Sequence, residues 1–207
     1  RERLRETIRD VPDSAEAYWQ LGRVEQALGD AGAVQAFERA ATKPLVAGRA
    51  RLYAVIGQAY HAQFDLDRAA AAYRQRVGIA PNDRDAHFDL GEVYRAQDKL
   101  DEALVEYLAA ALIDPANART FGMIGQVEAA AGRDEQAVVM LRRAVTLDGG
   151  LLDARYALSR ALLRLGRTEE AQQELSAFEA AQAKAMDAQR RQFLDNQQKI
   201  DDVLKNK

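Results

Sequence analysis

The 207-residue sequence has no cysteine, which excludes disulfides and thiolate metal sites. Its two histidines, His61 and His87, have no neighbour at metal-ligand spacing such as H-E-x-x-H. Ser14, Ser159 and Ser176 stand outside any nucleophile-elbow motif. There is no glycine-rich phosphate loop, and Gly149–Gly150 falls in a connector. The sequence has no apolar run long enough to span a bilayer. A net charge of −3 is too balanced for a nucleic-acid binder, whose affinity needs clustered cations. Acidic pairs such as Asp101–Glu102 read as helix-start charges, favourable against the helix dipole, and not as an acid–base couple. These absences predict no catalytic residue, no metal site, no cofactor, no nucleic-acid partner and no membrane insertion in this stretch.

What is present is a folded-protein composition, 48% hydrophobic and 29% charged. Arginine well above lysine, with abundant alanine, points to a GC-rich bacterial genome. The sequence is also repetitive. "LGEVYRAQDKLDEALVEYLAAALIDP", from Leu90 to Pro115, recurs in altered form upstream and downstream. Units starting at Ala15, Ala50, Arg84, Ala118 and Leu152 are separated by 35, 34, 34 and 34 residues. Each opens with an apolar residue, then Leu or Ile, usually Gly and often Tyr at helical spacing, as in His87, Leu90, Gly91 and Tyr94. A turn follows at Gly29, Asp98, Gly132 or Gly166. The second helix then places Ala four residues before a bulky side chain: Ala69 and Tyr73, Ala103 and Tyr107, Ala137 and Leu141, Ala171 and Leu175. Both spacings put these residues on one helix face. Pro81 and Pro115 end second helices, because proline lacks the amide and disfavours helix in the residue before it.

This grammar resembles the tetratricopeptide repeat, a helix–turn–helix of about 34 residues with a W-x2-L-G-x2-Y…A-x3-F…P signature. The resemblance runs from Ala15 to about Phe178 and is closest in the unit at Arg84, with Leu90, Gly91, Tyr94, Ala103, Tyr107, Ala110 and Pro115 in place. It implies an all-α, right-handed superhelical solenoid of helix-turn-helix repeats with a long C-terminal helix. Residues 15–178 are expected to hold five repeats and 179–207 a helical extension. Residues 1–14 read as the end of a truncated repeat, with Leu4 at the bulky place, Thr7 at the small one and Pro12 as terminator. The chain, which starts at Arg1, is then expected to be a fragment of a longer array, cytoplasmic or periplasmic.

Three departures stand out. Ser159 replaces the glycine of the last unit. Arg76 sits where a small residue belongs, which predicts a looser seam between the second and third units. Phe64 takes the turn position, either folded down over its own unit or left as an exposed contact. His87 is expected to fill space, and His61 either to be solvated or to touch a ligand. Residues Thr168 to Lys207 lack Gly and Pro, and Met186, Phe193 and Ile200 recur every seven, with Leu204 beyond. Arg190 and Gln197 interrupt a coiled-coil stripe. That leaves open a solvated capping helix, pairing with a second copy or another helix, or fraying beyond Asp195.

Stacked repeats form a concave wall mainly from first helices. With Tyr18, Leu21 and Gly22 inward, Trp19, Gln20 and Arg23 are rotated about 100° toward that wall. The same offset gives Val55 and Gln58, then Phe88, Asp89 and Glu92, then Met123 and Gln126, then Tyr156 and Arg160. Aromatic, thioether and arginine side chains are enriched at interface hot spots. The resemblance also implies, for some members, a lysine and asparagine clamp on a C-terminal carboxylate. Trp19, Arg23, Val55, Asp89 and Gly122 occupy that region here and do not supply it. The expected function is a non-catalytic scaffold that binds a protein or peptide segment in the groove. The alternatives are a self-assembling module, with self-association through the C-terminal helix, or the targeting arm of a larger enzyme.

Overall fold

The computed structural model describes residues 1–30, 32–43 and 48–205, with side chains through Lys199. The side chains of Ile200 and Leu204 and the placement of Lys207 lie outside the described residues. Every regular element among the described residues is helical: α1 Glu2–Asp10, α2 Ala15–Ala27, α3 Ala33–Thr42, α4 Arg49–Ala62, α5 Leu66–Ile79, α6 Arg84–Ala96, α7 Leu100–Ile113, α8 Ala118–Ala130, α9 Asp134–Leu147, α10 Leu152–Arg164 and α11 Thr168–Lys205. They form two compact units, Arg1–Pro115 and Ala116–Lys207. In the first, α2 pairs with α3, α4 with α5 and α6 with α7; in the second, α8 pairs with α9 and α10 with α11.

Close pairing follows from residue size. A Cβ on Gly22 would lie 2.6 Å from the Phe37 ring, and one on Gly57 would lie 2.7 Å from Tyr73. Gly91 faces Tyr107 at 2.9 Å and Gly125 faces Leu141 at 2.4 Å in the same way. So one glycine in the first helix receives one bulky side chain from the second. Phe37, Tyr107 and Leu141 are fully buried, and Tyr73 nearly so. In the fifth pair Ser159 is buried, and its Oγ donates to the Tyr156 carbonyl at 2.8 Å, which satisfies the hydroxyl inside its own helix.

Each hairpin turns through one left-handed residue: Gly29, Phe64, Asp98, Gly132 or Gly166. The next amide reaches back to a carbonyl in the last turn of the first helix, as Asp65 N does to Tyr60 O at 3.0 Å and Arg133 N to Glu128 O at 2.8 Å. This is the hydrogen bond of the Schellman motif, which favours glycine at the left-handed position. Among the second helices α5 is also side-chain capped, by Asp65, which accepts from Arg68 N at 3.2 Å, whereas Ser14, Asp83 and Asn117 cap the first helices α2, α6 and α8.

Phe64 departs from this economy. Its φ is +59° and its side chain is 86% exposed, so it folds over nothing in its own unit. A bulky residue in left-handed geometry costs about 1–2 kcal/mol, and no burial offsets it. Phe64→Gly is therefore expected to raise stability by about 1 kcal/mol. Urea denaturation followed by far-UV circular dichroism measures this, and a loss of stability would show that the ring makes a needed contact.

Arg76 corrects the expectation of a loose seam. Its guanidinium donates to Asp83 Oδ2 at 2.9 Å and to Asp89 Oδ2 at 2.7 Å, with only 11% of its side chain exposed. The long side chain replaces small-residue packing between α5 and α6 with a forked ion pair whose two carboxylates come from the start and middle of the next first helix. His87 is partly buried, with Nδ1 2.7 Å from Glu106 Oε2 and Nε2 3.0 Å from the Pro81 carbonyl, so it ties α6 to its neighbours. In α11 the backbone is helical through Lys205, past Asp195. Ala171 is buried and Phe178 partly so, but every described side chain from Gln182 to Lys199 is exposed.

Candidate protein-binding site

In the second unit the first helices α8 and α10 lie side by side. Small residues set their spacing. A Cβ on Gly122 would sit 3.3 Å from the Leu151 side chain and 3.7 Å from Ala154 Cβ. Between the helices runs a trough of about 460 Å³. Gln126, Ala129 and Ala130 line it from α8, and Asp153, Tyr156, Ala157, Arg160 and Arg164 from α10. Its alanines keep the floor low, so a ligand backbone can approach closely.

The polar groups of the trough divide into held and free. Arg164 is held: its Nε donates to both Asp134 oxygens at 2.9 Å. Hydrogen bonding to that guanidinium holds the Asp134 carboxyl below its usual range. Gln126, Asp153 and Arg160 have no side-chain hydrogen bond or ion pair among the described residues. Tyr156 is 47% exposed, with its ring 5.7 Å from that of Phe178. The trough therefore offers an amide that donates and accepts, one free cation, one free carboxylate and one partly exposed ring.

The structure brings Gln126, Tyr156 and Arg160 together here, and Met123 stands half-buried one turn earlier on α8. In the first unit the expected wall residues are spent differently. Phe88 is a correction: it is buried, 6% exposed, with its ring 5.4 Å from Tyr107. Because Ala86, Phe88, Leu90, Gly91 and Val93 are all buried, the inward arc of α6 is wider than a uniform offset assumes. Trp19 is half-buried against Phe37 at 5.2 Å. Gln20 donates to Glu16 at 2.6 Å. Glu92 accepts from the Tyr107 hydroxyl and pairs with Arg95, and burial together with Glu92 pushes that hydroxyl's pKa up. Asp89 is held by Arg76, but burial outweighs the cation and raises its pKa. Val55 packs half-buried against the core, while Arg23 and Gln58 are exposed on α2 and α4.

One rule connects the aromatic positions. Trp19, Phe88 and Tyr156 occupy the same place in three repeats, and each stacks on an aromatic ring of its own hairpin's second helix. The trough residues that the offset missed, Ala129, Ala130, Asp153, Ala157 and Arg164, lie three, four or eight positions from Gln126, Tyr156 or Arg160, within reach of helical periodicity.

The sequence model of the tetratricopeptide repeat family matches residues 56–119. These are tetratricopeptide repeats. Solved structures share the fold. MamA residues 41 to the end, from Desulfovibrio magneticus RS-1, superposes with a TM-score of 0.75 at 18% identity, covering 83% of this chain and 97% of that one. YrrB, described as a TPR protein with an unusual peptide-binding site, gives 0.72 at 17% identity, covering 88% and 94%. No curated protein sequence matches the chain. Tetratricopeptide repeat proteins bind protein or peptide partners and are generally non-catalytic scaffolds. No helix among the described residues is long and apolar enough to cross a membrane.

Proposed function

We propose that this tetratricopeptide repeat chain is an interaction scaffold that holds an extended segment of another protein in the trough between α8 and α10. The observation that carries this reading is the trough's unspent polarity over an alanine floor. An extended peptide brings backbone N–H and C=O groups that lose water on docking and need partners. The Gln126 amide serves one of each kind, Arg160 takes a carboxylate of the segment, and Asp153 takes a cation. Tyr156 gives a rigid ring against which an apolar side chain can anchor. Arg23 and Gln58, exposed on α2 and α4, are proposed to contact partners of the same class. The peptide-binding site named for YrrB agrees with this class of ligand.

The double variant Tyr156→Ala, Arg160→Glu tests the proposal in the full chain. Both residues are exposed, so far-UV circular dichroism and thermal unfolding are expected to stay near those of the parent. Capture of partner proteins from native extract is expected to fall at least about tenfold, the equivalent of 1.4 kcal/mol. Retained capture at the parent level would remove this trough as the binding site.

A further inference from the structure

We propose that the distal part of α11 in one copy of the chain docks on the outer face of α7 in a second copy. The proposal stands apart from the trough and uses none of its residues.

The outer face of α7 carries Val105, Leu108 and Leu112, spaced to form one stripe of a helix. They are 64%, 42% and 84% exposed. The inner face of the same helix is also apolar, with Ala103, Tyr107 and Ala110 buried. Apolar side chains thus lie on both the inner and the outer face of α7, and only the inner face is covered. The repeat pattern does not require the stripe. The equivalent positions are Ala71, Arg74 and Gly78 in α5, and Val139, Arg142 and Thr146 in α9. Only α7 places large aliphatic side chains at all three.

The second unpartnered face is on α11. Met186 and Phe193, seven residues apart, are 65% and 64% exposed on one side of the helix, and Leu194 beside them is 53% exposed. At 1.5 Å per residue the two stripes have the same length, about 10 Å. By helical phase Met186 and Phe193 are displaced about 40–80° from Ala171 and Phe178, and about 100–140° from Glu174 and Ala181, less exposed residues nearer the start of α11. The distal stripe overlaps that face only in part, and from Gln182 to Lys199 no described side chain is covered by the last hairpin.

Charge identifies the occupant. Helix α7 carries Asp101, Glu102 and Glu106 and no basic residue. From Gln182 to Lys199, α11 carries Lys184, Arg190, Arg191 and Lys199 against only Asp187 and Asp195. Arg190 lies between Met186 and Phe193 on the same side of α11, about 40–60° from each, so a cation accompanies the apolar side chains that would enter the acidic face. Like charges oppose pairing of two α7 faces, or of two distal α11 segments, whereas the α11-to-α7 pairing is complementary. Docking in both directions closes a two-fold pair.

Light scattering on the full chain across a concentration series tests this. The parent is expected to rise from the monomer mass of 22.9 kDa toward roughly twice that value. Leu112→Glu and Phe193→Glu are each expected to stay at the monomer mass at every concentration. An equimolar mixture of the two is expected to associate again, because it restores one intact α11 against one intact α7. Unchanged circular dichroism verifies the fold, and Leu112→Asn, which adds no charge, is expected to behave as Leu112→Glu does. A parent that is monomeric throughout, association surviving in the Leu112 variants, or a mixture that stays monomeric would each overturn the proposal. Survival in the Leu112 variants would indicate pairing between tails.

Discussion

Replacing Tyr107 with alanine is expected to lower the free energy of unfolding by about 3–5 kcal/mol, the range for truncating a large buried aromatic residue. Tyr107 is fully buried, its ring fills the space left by Gly91, and it supports Phe88 at 5.4 Å. Truncation opens a cavity between α6 and α7 that the helices cannot collapse into, because the backbones already meet at a glycine. It also takes from Glu92 the donor of the Tyr107 hydroxyl, although Arg95 remains beside that carboxylate. Against a total stability of about 5–15 kcal/mol, this loss leaves the third hairpin marginal. Urea denaturation of Tyr107→Ala and Tyr107→Phe separates the two contributions. The phenylalanine variant keeps the ring and is expected to lose only about 1 kcal/mol. An alanine variant within 1 kcal/mol of the parent would mean that the hairpin does not depend on this ring.

Gly125→Ala is expected to destabilise by about 2 kcal/mol, even though alanine is the better helix former. The added Cβ would lie 2.4 Å from Leu141 Cγ and 3.1 Å from the Ala137 carbonyl oxygen. Leu141 is fully buried and has nowhere to move, so α8 and α9 must separate. The same substitution at Gly78, an exposed α5 position with nothing within 4 Å, is expected to stabilise by about 0.5–1 kcal/mol. Opposite signs from one chemical change, read as shifts in the thermal midpoint, are the signature of close helix approach. A gain at both positions would refute it.

The helical hairpins were legible in the sequence because their determinants are local and repeated. Gly91 with Tyr107, and Gly125 with Leu141, restate one small-to-large contact at a fixed spacing, so the pattern reports packing directly. The wall residues were less legible. A shift of one position rotates a side chain by about 100°, but an aromatic ring at the edge of the inward arc can also lie down over its own hairpin. Phe88 does so against Tyr107, and Trp19 partly does so against Phe37. Spacing fixes where the Cβ sits and leaves the ring's direction to its neighbours. Asp89 failed differently: its identity reads as a surface charge, but Arg76, thirteen positions earlier, had already claimed it. Phe64 carried a signal of the opposite kind, since a bulky residue in a glycine position marks strain that sequence alone could not assign to a cause.

The hairpin turns have a kinetic consequence. Each closes over a few residues and brings together segments that are neighbours along the chain, so little loop-closure entropy precedes the first favourable contacts. Contact order is correspondingly low, and each hairpin can nucleate on its own before its neighbours have formed. Refolding after a denaturant jump should then begin at several places along the chain and spread between adjacent pairs.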